Sequence, residues 1–553
     1  MKATLSFPLL FGALAVLASA PTMGQEDPAI PRPAPEWDAE RAEHLFNRAG
    51  FGASTSEIEE AVRRGPQAFV AELFEGEGWV DEPFYSRVKG GMEGRERLAR
   101  MPEEERTEAA RRMRREDAAQ VRDFLGWWVE RILEGSDDLR ERMTLFWHGH
   151  FTSSMQDVKN SHEMIQQNQL LRSNALGNFG DLVHMIARDP AMLEYLDNDS
   201  NRKAKPNENF ARELMELFTL GEGNYTEADV KEAARAFTGW TDRYGSFRFA
   251  ARQHDRGRKT VLGQTGRFDG DDVIDILLEQ EACARYIAGK LIAYLEGVAP
   301  APERLEEYAR FLRERDYEIA PFLERLFLDP DFYRDEVRGG RIASPLDFLV
   351  GACRRLGLEP PARLILVGSA SLGEKLFHPP NVKGWEGGAA WITTASLMQR
   401  GNMAGTLLGE VALSDFLRHD PLEDPTVVLS EGVGQQAKKR AEAVAKARKK
   451  RQLGPLSELR EVERFGWRPR MNLTRRLQQQ GVRSDHEVIA ALCDAVLAVP
   501  VEDATLEELH GALGRLRAEA EFEDELLSNP QKAEPMLRRL AHLILSMPEA
   551  NLN

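Results

Sequence analysis

The sequence has few cysteines and, beyond its first residues, no long apolar run. Its 553 residues contain three cysteines, Cys283, Cys353 and Cys493. They are far apart and odd in number, which leaves room for one disulfide but excludes a disulfide framework and a zinc-type pairing. Cys353 and Cys493 lie in apolar helical patterns, which favours buried thiols. No stretch after residue 24 approaches a transmembrane length, so we expect a soluble mature protein.

The sequence also lacks an excess of basic charge. It has 73 lysines and arginines against 90 aspartates and glutamates, a formal net charge of −17. Because contact with phosphates needs a basic face, we do not expect a general nucleic-acid binder. Dinucleotide, P-loop and haem-attachment motifs are absent, and neither Ser369 nor Ser371 has the glycines of a nucleophile elbow. These absences remove several enzyme classes and leave the reaction open.

The N-terminal residues predict export to the periplasm or beyond. Lys2 precedes an apolar stretch, residues 5–18, that is too short to span a bilayer comfortably, and Ala18-Ser19-Ala20 has the form of a signal-peptidase site. Pro21 disfavours cleavage there, so cleavage before Gln25 is the alternative. The predicted divisions are a signal peptide at 1–24, a proline-rich linker at 25–35, a main helical domain at 36–410, a charged segment at 411–465 and a C-terminal helical subdomain at 466–553.

Helical periodicity dominates the rest of the chain. Ser54 is placed to begin a helix that Gly65-Pro66 ends, and Thr226 with Asp229 has the spacing of a capping box. Strand signals are few, and we expect Phe247-Arg248-Phe249 to pair with Thr260-Val261-Leu262. Since no βαβ alternation is present, the sequence predicts an all-α multi-helix array with at most one short β-ribbon and a smaller C-terminal helical subdomain.

Two closely spaced histidines, His148 and His150, suggest a metal site. In a helix, residues two apart point about 200° away from each other, so both could not bind one ion. If the helix over 137–147 ended near Gly149, the two imidazoles could converge. The alternative is a histidine pair that caps the helix or packs in the core. With a third ligand the set would suit zinc or another transition metal. The candidate ligands are His148, His150, His254, Asp255 and His378.

A second metal hypothesis concerns calcium. The oxygen-bearing residues Asp197, Asp199, Asn201 and Glu208 stand at positions one, three, five and twelve of a calcium-loop count. Against this, Arg202 occupies the sixth position, where such loops need glycine. The alternative is an Asx-rich turn whose side chains bond its own backbone.

The helix predicted to start at Glu208 carries candidate acid/base residues. Asn207 is placed to cap it. Glu213 lies at the margin of the apolar stripe, where partial burial would raise its pKa and make it a usable acid or base. Arg212 can pair with Glu208 along the helix, so a surface lattice of ion pairs is the alternative. The candidate catalytic residues are Asn209, Arg212 and Glu213.

Two segments carry candidate binding residues. The loop over 377–388 is rich in proline and glycine and presents Asn381, Lys383 and Trp385. Trp385 and Trp391 could stack on a sugar, although a role in plugging the core is favoured. From Lys438 to Arg451 the chain has eight basic residues against one acid. This pattern is typical of a solvated helix face, with contact to a polyanion or to lipid headgroups as the alternative.

Several motifs together resemble the bacterial domain-of-unknown-function family 1800. They follow one another along nearly the whole mature chain: His44–Gly52, Met143–His148, Leu196–Asn201, Pro206–Leu217, Phe237–Trp240, His254-Asp255, Phe377–Trp385 and Ser546–Glu549. The resemblance implies a large, mostly helical, exported bacterial protein without an agreed activity. It also implies a partner encoded nearby, from a second uncharacterised family similar to sulfatases. Many members carry histidine where this chain has Phe218, which weakens any mechanism that needs an imidazole there.

Two functional hypotheses follow. In the first, the protein is a hydrolase that depends on a divalent metal, and Glu213 acts as acid or base on a metal-bound water. In the second, it is a non-catalytic protein of the envelope or of secretion, and its polar motifs are structural. The hypotheses differ in whether the His-Gly-His motif and the Asn209–Glu213 stripe meet at one open cleft.

Overall fold

A computed structural model describes residues 35–76, 100–243, 245–411 and 467–553. The predicted signal peptide, all of the linker except residue 35, and the basic stretch from Lys438 to Arg451 lie outside these ranges. Within them the chain is helical, which confirms the predicted all-α class. No helix of the described residues is long and apolar enough to cross a membrane.

The described residues form 22 α-helices. In chain order they are α1 (Ala39–Ala49), α2 (Thr55–Arg64), α3 (Pro66–Glu72), α4 (Glu103–Glu134), α5 (Asp138–His150), α6 (Met155–Val158), α7 (Ser161–Ser173), α8 (Phe179–Ile186), α9 (Pro190–Tyr195), α10 (Asn209–Glu213), α11 (Glu227–Ala236), α12 (Gly270–Leu278), α13 (Glu281–Glu296), α14 (Pro302–Glu314), α15 (Ile319–Phe327), α16 (Pro345–Leu356), α17 (Ala362–Ser371), α18 (Thr394–Leu408), α19 (Leu473–Gln479), α20 (Asp485–Val496), α21 (Asp503–Glu519) and α22 (Pro530–Leu545).

The helix starts follow the capping residues in the sequence. Ser54 caps α2 and forms a reciprocal capping box with Glu57, and Thr226 does the same with Asp229 at the start of α11. Each box satisfies backbone N–H groups that a helix N-terminus leaves without partners. Gly65 ends α2 with a φ of 80°, a left-handed conformation that glycine adopts without steric cost. These predicted boundaries are therefore confirmed.

The predicted β-ribbon is wrong in its pairing. Two antiparallel ribbons are present instead: β1 (Trp240–Asp242) pairs with β2 (Phe247–Phe249), and β3 (Lys259–Val261) pairs with β4 (Gln264–Gly266). Leu262 and Gly263 both have positive φ, which is the two-residue turn that closes a tight hairpin. Each strand therefore pairs with its nearest neighbour in sequence, where the closing loop is shortest.

Two hydrophobic clusters form the core. One is built from α1, α3, α5, the helices α8 to α15 and Trp240. The other joins α4, α16, α17 and α18 to the C-terminal helices α19 to α22. The two clusters meet along α5, which gives Phe146 to the first and Leu145 to the second. The C-terminal subdomain remains a prediction, and its helices pack on the same cluster as α16 to α18.

The three cysteines are buried free thiols. They lie in different helices, Cys283 in α13, Cys353 in α16 and Cys493 in α20. Burial raises the pKa of both Cys283 and Cys493 to about 12. A buried thiol that stays protonated is a small apolar core residue, not a nucleophile.

Candidate active site

A cavity of about 670 Å³ opens beside the C-terminal end of α5. Its walls come from α5, from α13, from the segment before α16, from Glu374 and from the glycine-rich loop after α17. The polar and aromatic side chains among its lining residues are Phe146, His150, Lys290, Tyr294, Arg341, Ser344, Glu374, Lys383, Trp385, Glu386 and Trp391. A cavity of this size, lined by aromatic rings and a few charged groups, can hold a small organic ligand.

The glycine-rich loop reaches the cavity through a close backbone contact. Gly384 has a φ of 78°, and a Cβ atom built on it would lie 2.5 Å from the carbonyl oxygen of Gly149. Only glycine allows the loop to approach α5 so closely in this conformation. The contact places Lys383 and Trp385, on either side of Gly384, in the cavity wall.

His150 and Lys290 form a hydrogen-bonded pair in the cavity wall. His150 Nε2 lies 3.0 Å from the carbonyl oxygen of Phe218, and its Nδ1 lies 2.9 Å from Lys290 Nζ. A carbonyl oxygen can only accept, so Nε2 carries the proton and Nδ1 presents its lone pair to the lysine. The backbone of Phe218 thereby fixes the tautomer that lets the imidazole accept from Lys290.

Lys290 has no carboxylate partner. No aspartate or glutamate of the described residues lies within ion-pair distance of it, and Tyr286 presents its ring 5.3 Å from Nζ. Burial lowers the pKa of Lys290 to about 8. It also lowers the pKa of His150 well below its usual value, an effect that the charge of Lys290 increases. The pair therefore holds at most one positive charge, and about a tenth of Lys290 is an uncharged amine at pH 7, far more than for an ordinary lysine.

A π-helical segment supplies the carbonyl group that orients His150. Sequence periodicity predicts a continuous α-helix through residue 220, but α10 ends at Glu213 and Leu214–Thr219 is π-helical. Thr219 Oγ1 donates to the Leu214 carbonyl group at 2.6 Å, which supports the wider turn. Short π-helical insertions are frequent at functional sites. Here the wider turn carries Phe218, whose carbonyl group faces the imidazole.

Glu374 is a second titratable group in the cavity wall. It is 4% exposed, and its Oε2 accepts a hydrogen bond of 2.8 Å from the backbone N–H of Leu346, in the first turn of α16. Burial, together with the neighbouring charge of Asp347, raises the pKa of Glu374 to about 7. A carboxyl group that titrates near neutral pH can serve as a general acid.

A buried ion network fixes Arg341, one of the lining residues of the cavity. Asp347 Oδ1 lies 2.7 Å from Arg142 Nη2, and its Oδ2 lies 2.6 Å from Arg341 Nη2. The two guanidinium groups hold the pKa of Asp347 at about 2, despite its burial. The remaining terminal nitrogen of Arg341, Nη1, is buried and has no hydrogen-bond partner among the described residues. Other atoms of Arg341 line the cavity.

The structure corrects the predicted end of α5. The helix continues to His150, and the backbone N–H of Phe151 still bonds the Trp147 carbonyl group at 2.8 Å. Gly149 is therefore inside the helix, and His148 faces away from His150. His148 Nε2 accepts from the backbone N–H of Phe377 at 3.3 Å, and burial lowers its pKa to about 4. The two imidazoles do not converge.

The other proposed metal ligands lie apart. His254 Nδ1 bonds the Thr238 carbonyl group at 2.9 Å, and Asp255 is held by Arg235 at 2.7 Å. His378 is close enough to His148 for its charge to lower the pKa of His148. Among the described residues, no group of three or more histidine, cysteine, aspartate or glutamate side chains could hold a metal ion.

The residues of the calcium hypothesis form a turn bonded to its own backbone. Asn201 is buried and donates to Asn198 and to the Ala234 carbonyl group, while its Oδ1 accepts from the N–H of Asn207. Glu208 pairs with Arg212 at 3.3 Å. Asp197, Asp199 and Glu208 do not form a group that could hold a metal ion. This arrangement is the Asx-rich alternative.

The proposed acid/base helix lies next to the cavity rim, outside its lining. Glu213 is half-buried, and burial raises its pKa, which Glu216 raises further and Arg212 and Lys383 lower. Arg212 pairs with Glu227, and Asn209 donates to the Leu196 carbonyl group. Of the three candidates, only Glu213 has an electrostatic link to the cavity, through Lys383.

The glycine-rich loop contributes two of its three candidate binding residues to the cavity. Trp385 and Lys383 line it, and Lys383 Nζ lies 3.4 Å from Glu222 and 3.9 Å from Glu216. Asn381 is exposed, and its side chain accepts from the backbone N–H of Lys383. Trp391 also lines the cavity and is 9% exposed. The binding roles of these residues remain predictions.

Sequence reasoning overlooked Lys290 and Glu374, two residues of the cavity wall whose pKa values burial shifts toward neutrality. Lys290 is the one charged residue in the apolar stretch from Tyr286 to Leu295 of α13. That isolation was a usable signal, because lysine is rarely buried without a partner. Glu374 gave no comparable signal, since it follows α17 in a polar loop and its burial comes from the distant start of α16.

Comparison with known proteins identifies the family of this chain. No curated protein and no solved structure matches it. A family model described as "Protein of unknown function (DUF1800)" matches residues 44–552, nearly the whole chain. The chain therefore belongs to the DUF1800 family.

Proposed function

We propose that the protein is an enzyme whose active site is the cavity beside α5 and whose reactive group is the amine of Lys290. One observation carries this proposal: a half-buried lysine, with no carboxylate partner among the described residues, lies 2.9 Å from an imidazole nitrogen at the wall of an open cavity. Leaving an ammonium group unpaired where burial removes part of its water is costly. Strongly perturbed amines of this kind are concentrated at functional sites.

The arrangement can serve nucleophilic or acid/base chemistry. An uncharged amine at neutral pH is a nucleophile and a base, and His150 Nδ1 can accept its hydrogen bond or its proton. Glu374 can supply a proton on another side of the same cavity. This chemistry is carried by side chains alone. It differs from the hydrolase hypothesis, in which a metal-bound water attacks and which lacks a converging ligand set among the described residues.

Acylation of the native protein tests the proposal. A limiting amount of an N-hydroxysuccinimide acetate ester at neutral pH should acetylate Lys290 ahead of Lys383, which is exposed on the rim of the same cavity. Peptide mass spectrometry locates the label, and Lys290→Met provides the control that should lose it. Labelling that follows exposure alone, with Lys290 the slower of the two, would contradict the proposal.

We also propose that this site operates outside the cytoplasm, in the periplasm or the secreted fraction. The support is the sequence of residues 1–24, with its basic start, apolar stretch and small-residue cleavage site. Fractionation of cells that produce the full chain, with N-terminal sequencing, tests this. An uncleaved chain in the cytoplasm would contradict it.

A non-catalytic role in the envelope or in secretion is the second candidate, and one surface favours it. Of the large hydrophobic side chains that are exposed among the described residues, Leu397, Met398 and Leu543 lie on α18 and α22, two helices that pack against each other. Exposed apolar side chains on neighbouring elements are typical of partner-binding surfaces. Crosslinking of wild type and a Leu397→Asp, Met398→Asp variant in cells tests this role. Identical crosslinks would contradict it.

A further inference from the structure

We propose that Lys290 forms an imine with the carbonyl carbon of a small oxo acid, while Arg341 binds the carboxylate of that acid. This inference rests on the proposed function, because it assigns a substrate class to the same cavity. It stands on three features of the described residues: an amine with no carboxylate partner, an arginine with one unpartnered nitrogen, and a cavity that both line.

Lys290 and Tyr294, the aromatic neighbour of Arg341, lie on one face of α13. Lys290 and Tyr294 are four residues apart, so they lie one helical turn from each other on the same face. The guanidinium carbon of Arg341 lies 5.2 Å from the ring centroid of Tyr294. Tyr294 therefore places the guanidinium group of Arg341 beside the face of α13 that carries the amine, and both groups line the same cavity.

The charges of the cavity favour a ligand with an anionic end. Arg341 is 9% exposed, and one side of its guanidinium group is held by Asp347. Its Nη1 is left to bond an acceptor, and a carboxylate is the acceptor that guanidinium groups bind most strongly. The indole Nε1 of Trp385 is likewise buried without a hydrogen-bond partner and belongs to a lining residue. An acceptor-rich ligand would satisfy both donors.

The imine step balances without an added reagent. The uncharged Lys290 Nζ adds to the carbonyl carbon, which forms a C–N bond and moves the C=O π electrons to oxygen. The nitrogen loses a proton to His150 Nδ1, and the imidazole returns it to the oxygen to give a carbinolamine. The C–O bond then breaks as the C=N bond forms, the nitrogen gives its remaining proton to the same imidazole, and the departing hydroxide takes that proton and leaves as water. The products are one imine and one water, and nothing is oxidised or reduced.

Reductive trapping tests the inference on the mature wild-type protein. The probe is levulinate, a 4-oxo acid, with sodium cyanoborohydride at neutral pH, and 2-pentanone is the matched ketone that lacks the carboxylate. We expect a mass increase equal to levulinic acid less one oxygen atom, located on Lys290 by peptide mapping and absent from Lys290→Met. The levulinate adduct should form at least about tenfold faster than the pentanone adduct, the ratio that one charge-assisted hydrogen bond supplies.

Each other result overturns a defined part of the inference. Equal rates for levulinate and 2-pentanone would overturn carboxylate recognition by Arg341. In that case Arg341→Lys, which keeps the charge but loses the second donor, would also leave the ratio unchanged. Adducts that are absent from Lys290, or spread over exposed lysines, would overturn the imine. If the acyl ester still labels Lys290 in that preparation, the proposed enzyme site survives and only its substrate class is wrong.

Discussion

At the residue scale, the most informative group is a lysine that the fold holds at an energetic cost. Lys290 is half-buried beside a neutral imidazole and an aromatic ring, with no carboxylate to offset its charge among the described residues. Folding would gain from an apolar side chain at this position. Active sites characteristically contain residues that make the fold less stable than an apolar replacement at the same position would.

Replacement of Lys290 by methionine is expected to stabilise the protein at neutral pH. Because burial lowers the pKa of Lys290 to about 8, the charged form is penalised in the folded chain. The penalty is complete below about pH 8 and disappears as the pH rises to the ordinary lysine value near 10.4. Lys290→Met should therefore raise the free energy of unfolding by up to about 3 kcal/mol at pH 7, and by little at pH 10.5.

Denaturant unfolding at the two pH values measures this difference. Lys383→Met is the matched control, since Lys383 is exposed and its removal should change stability by less than about 1 kcal/mol. A destabilised Lys290→Met protein at pH 7 would show that Lys290 has a stabilising structural role, and would remove the physical argument for a reactive amine.

At the element scale, the site depends on two departures from regular geometry. The π-helical turn at Leu214–Thr219 carries the carbonyl group of Phe218 to His150, and the positive φ of Gly384 lets the glycine-rich loop touch α5. Neither follows from hydrophobic periodicity, which cannot separate a π turn from an α turn and does not say which element a loop will touch.

Substitution of Gly384 by alanine should displace the loop. The added Cβ would lie 2.5 Å from the Gly149 carbonyl oxygen, and alanine disfavours the φ of 78°. We expect a loss of about 1–3 kcal/mol in the free energy of unfolding and weaker labelling of Lys290 relative to Lys383, as the cavity wall moves.

Gly149→Ala is the matched control for this contact. A Cβ on Gly149 meets no atom within 4 Å, and the residue lies inside α5, where alanine is the better helix former. Thermal unfolding should show Gly149→Ala at or above wild type and Gly384→Ala below it. The same melting temperature for both variants would mean that the close approach of loop and helix is not important for stability.

Local sequence signals predicted the elements better than they predicted the site. Capping residues such as Ser54 and Thr226 act within four residues of chain, so their helices begin where expected. The metal hypothesis required the helix to end near Gly149 so that the imidazoles of His148 and His150 could converge. The helix continues to His150, and the two imidazoles do not converge. The sequence named His150 and Trp385 as candidates for two separate sites, and the structure brings both into one cavity. Lys290 and Glu374 reach the cavity only through contacts between segments that are distant in sequence.

At the scale of the whole molecule, a buried ion network lies where the two hydrophobic clusters meet. Asp347 at the start of α16 binds Arg142 of α5 and Arg341 of the preceding segment. Arg142 also donates to the carbonyl group of Gly50, just after α1. The network thus connects the helices that carry the cavity to both clusters, and it holds Arg341 in the cavity wall.

Removal of the central carboxylate should destabilise the fold. Asp347→Asn leaves Arg142 and Arg341 buried with less compensation, and breaking a buried pair in this way costs about 3–5 kcal/mol. Asp335→Asn is the control, because Asp335 pairs with Arg338 on the surface and is 88% exposed. Its loss should cost at most about 1 kcal/mol.

The pH dependence of the same variant gives an independent readout. Since the folded pKa of Asp347 is about 2, its contribution to stability is complete above the ordinary aspartate value near 3.9 and is lost as the pH falls through 2. Unfolding experiments from pH 5 downward should therefore show a steeper decline for wild type than for Asp347→Asn. Parallel curves for the two proteins would contradict the role of the network.

The most direct measurement is the pH dependence of acetylation at Lys290 in the native protein. Rates determined by quantitative peptide mass spectrometry across pH 6 to 11 give an apparent pKa for each lysine. An unpaired amine half-buried beside His150 predicts a midpoint of about 8 for Lys290, against the ordinary lysine value near 10.4. A midpoint for Lys290 at or above that ordinary value would mean that its charge is stabilised in the fold, and the proposed active site would be wrong.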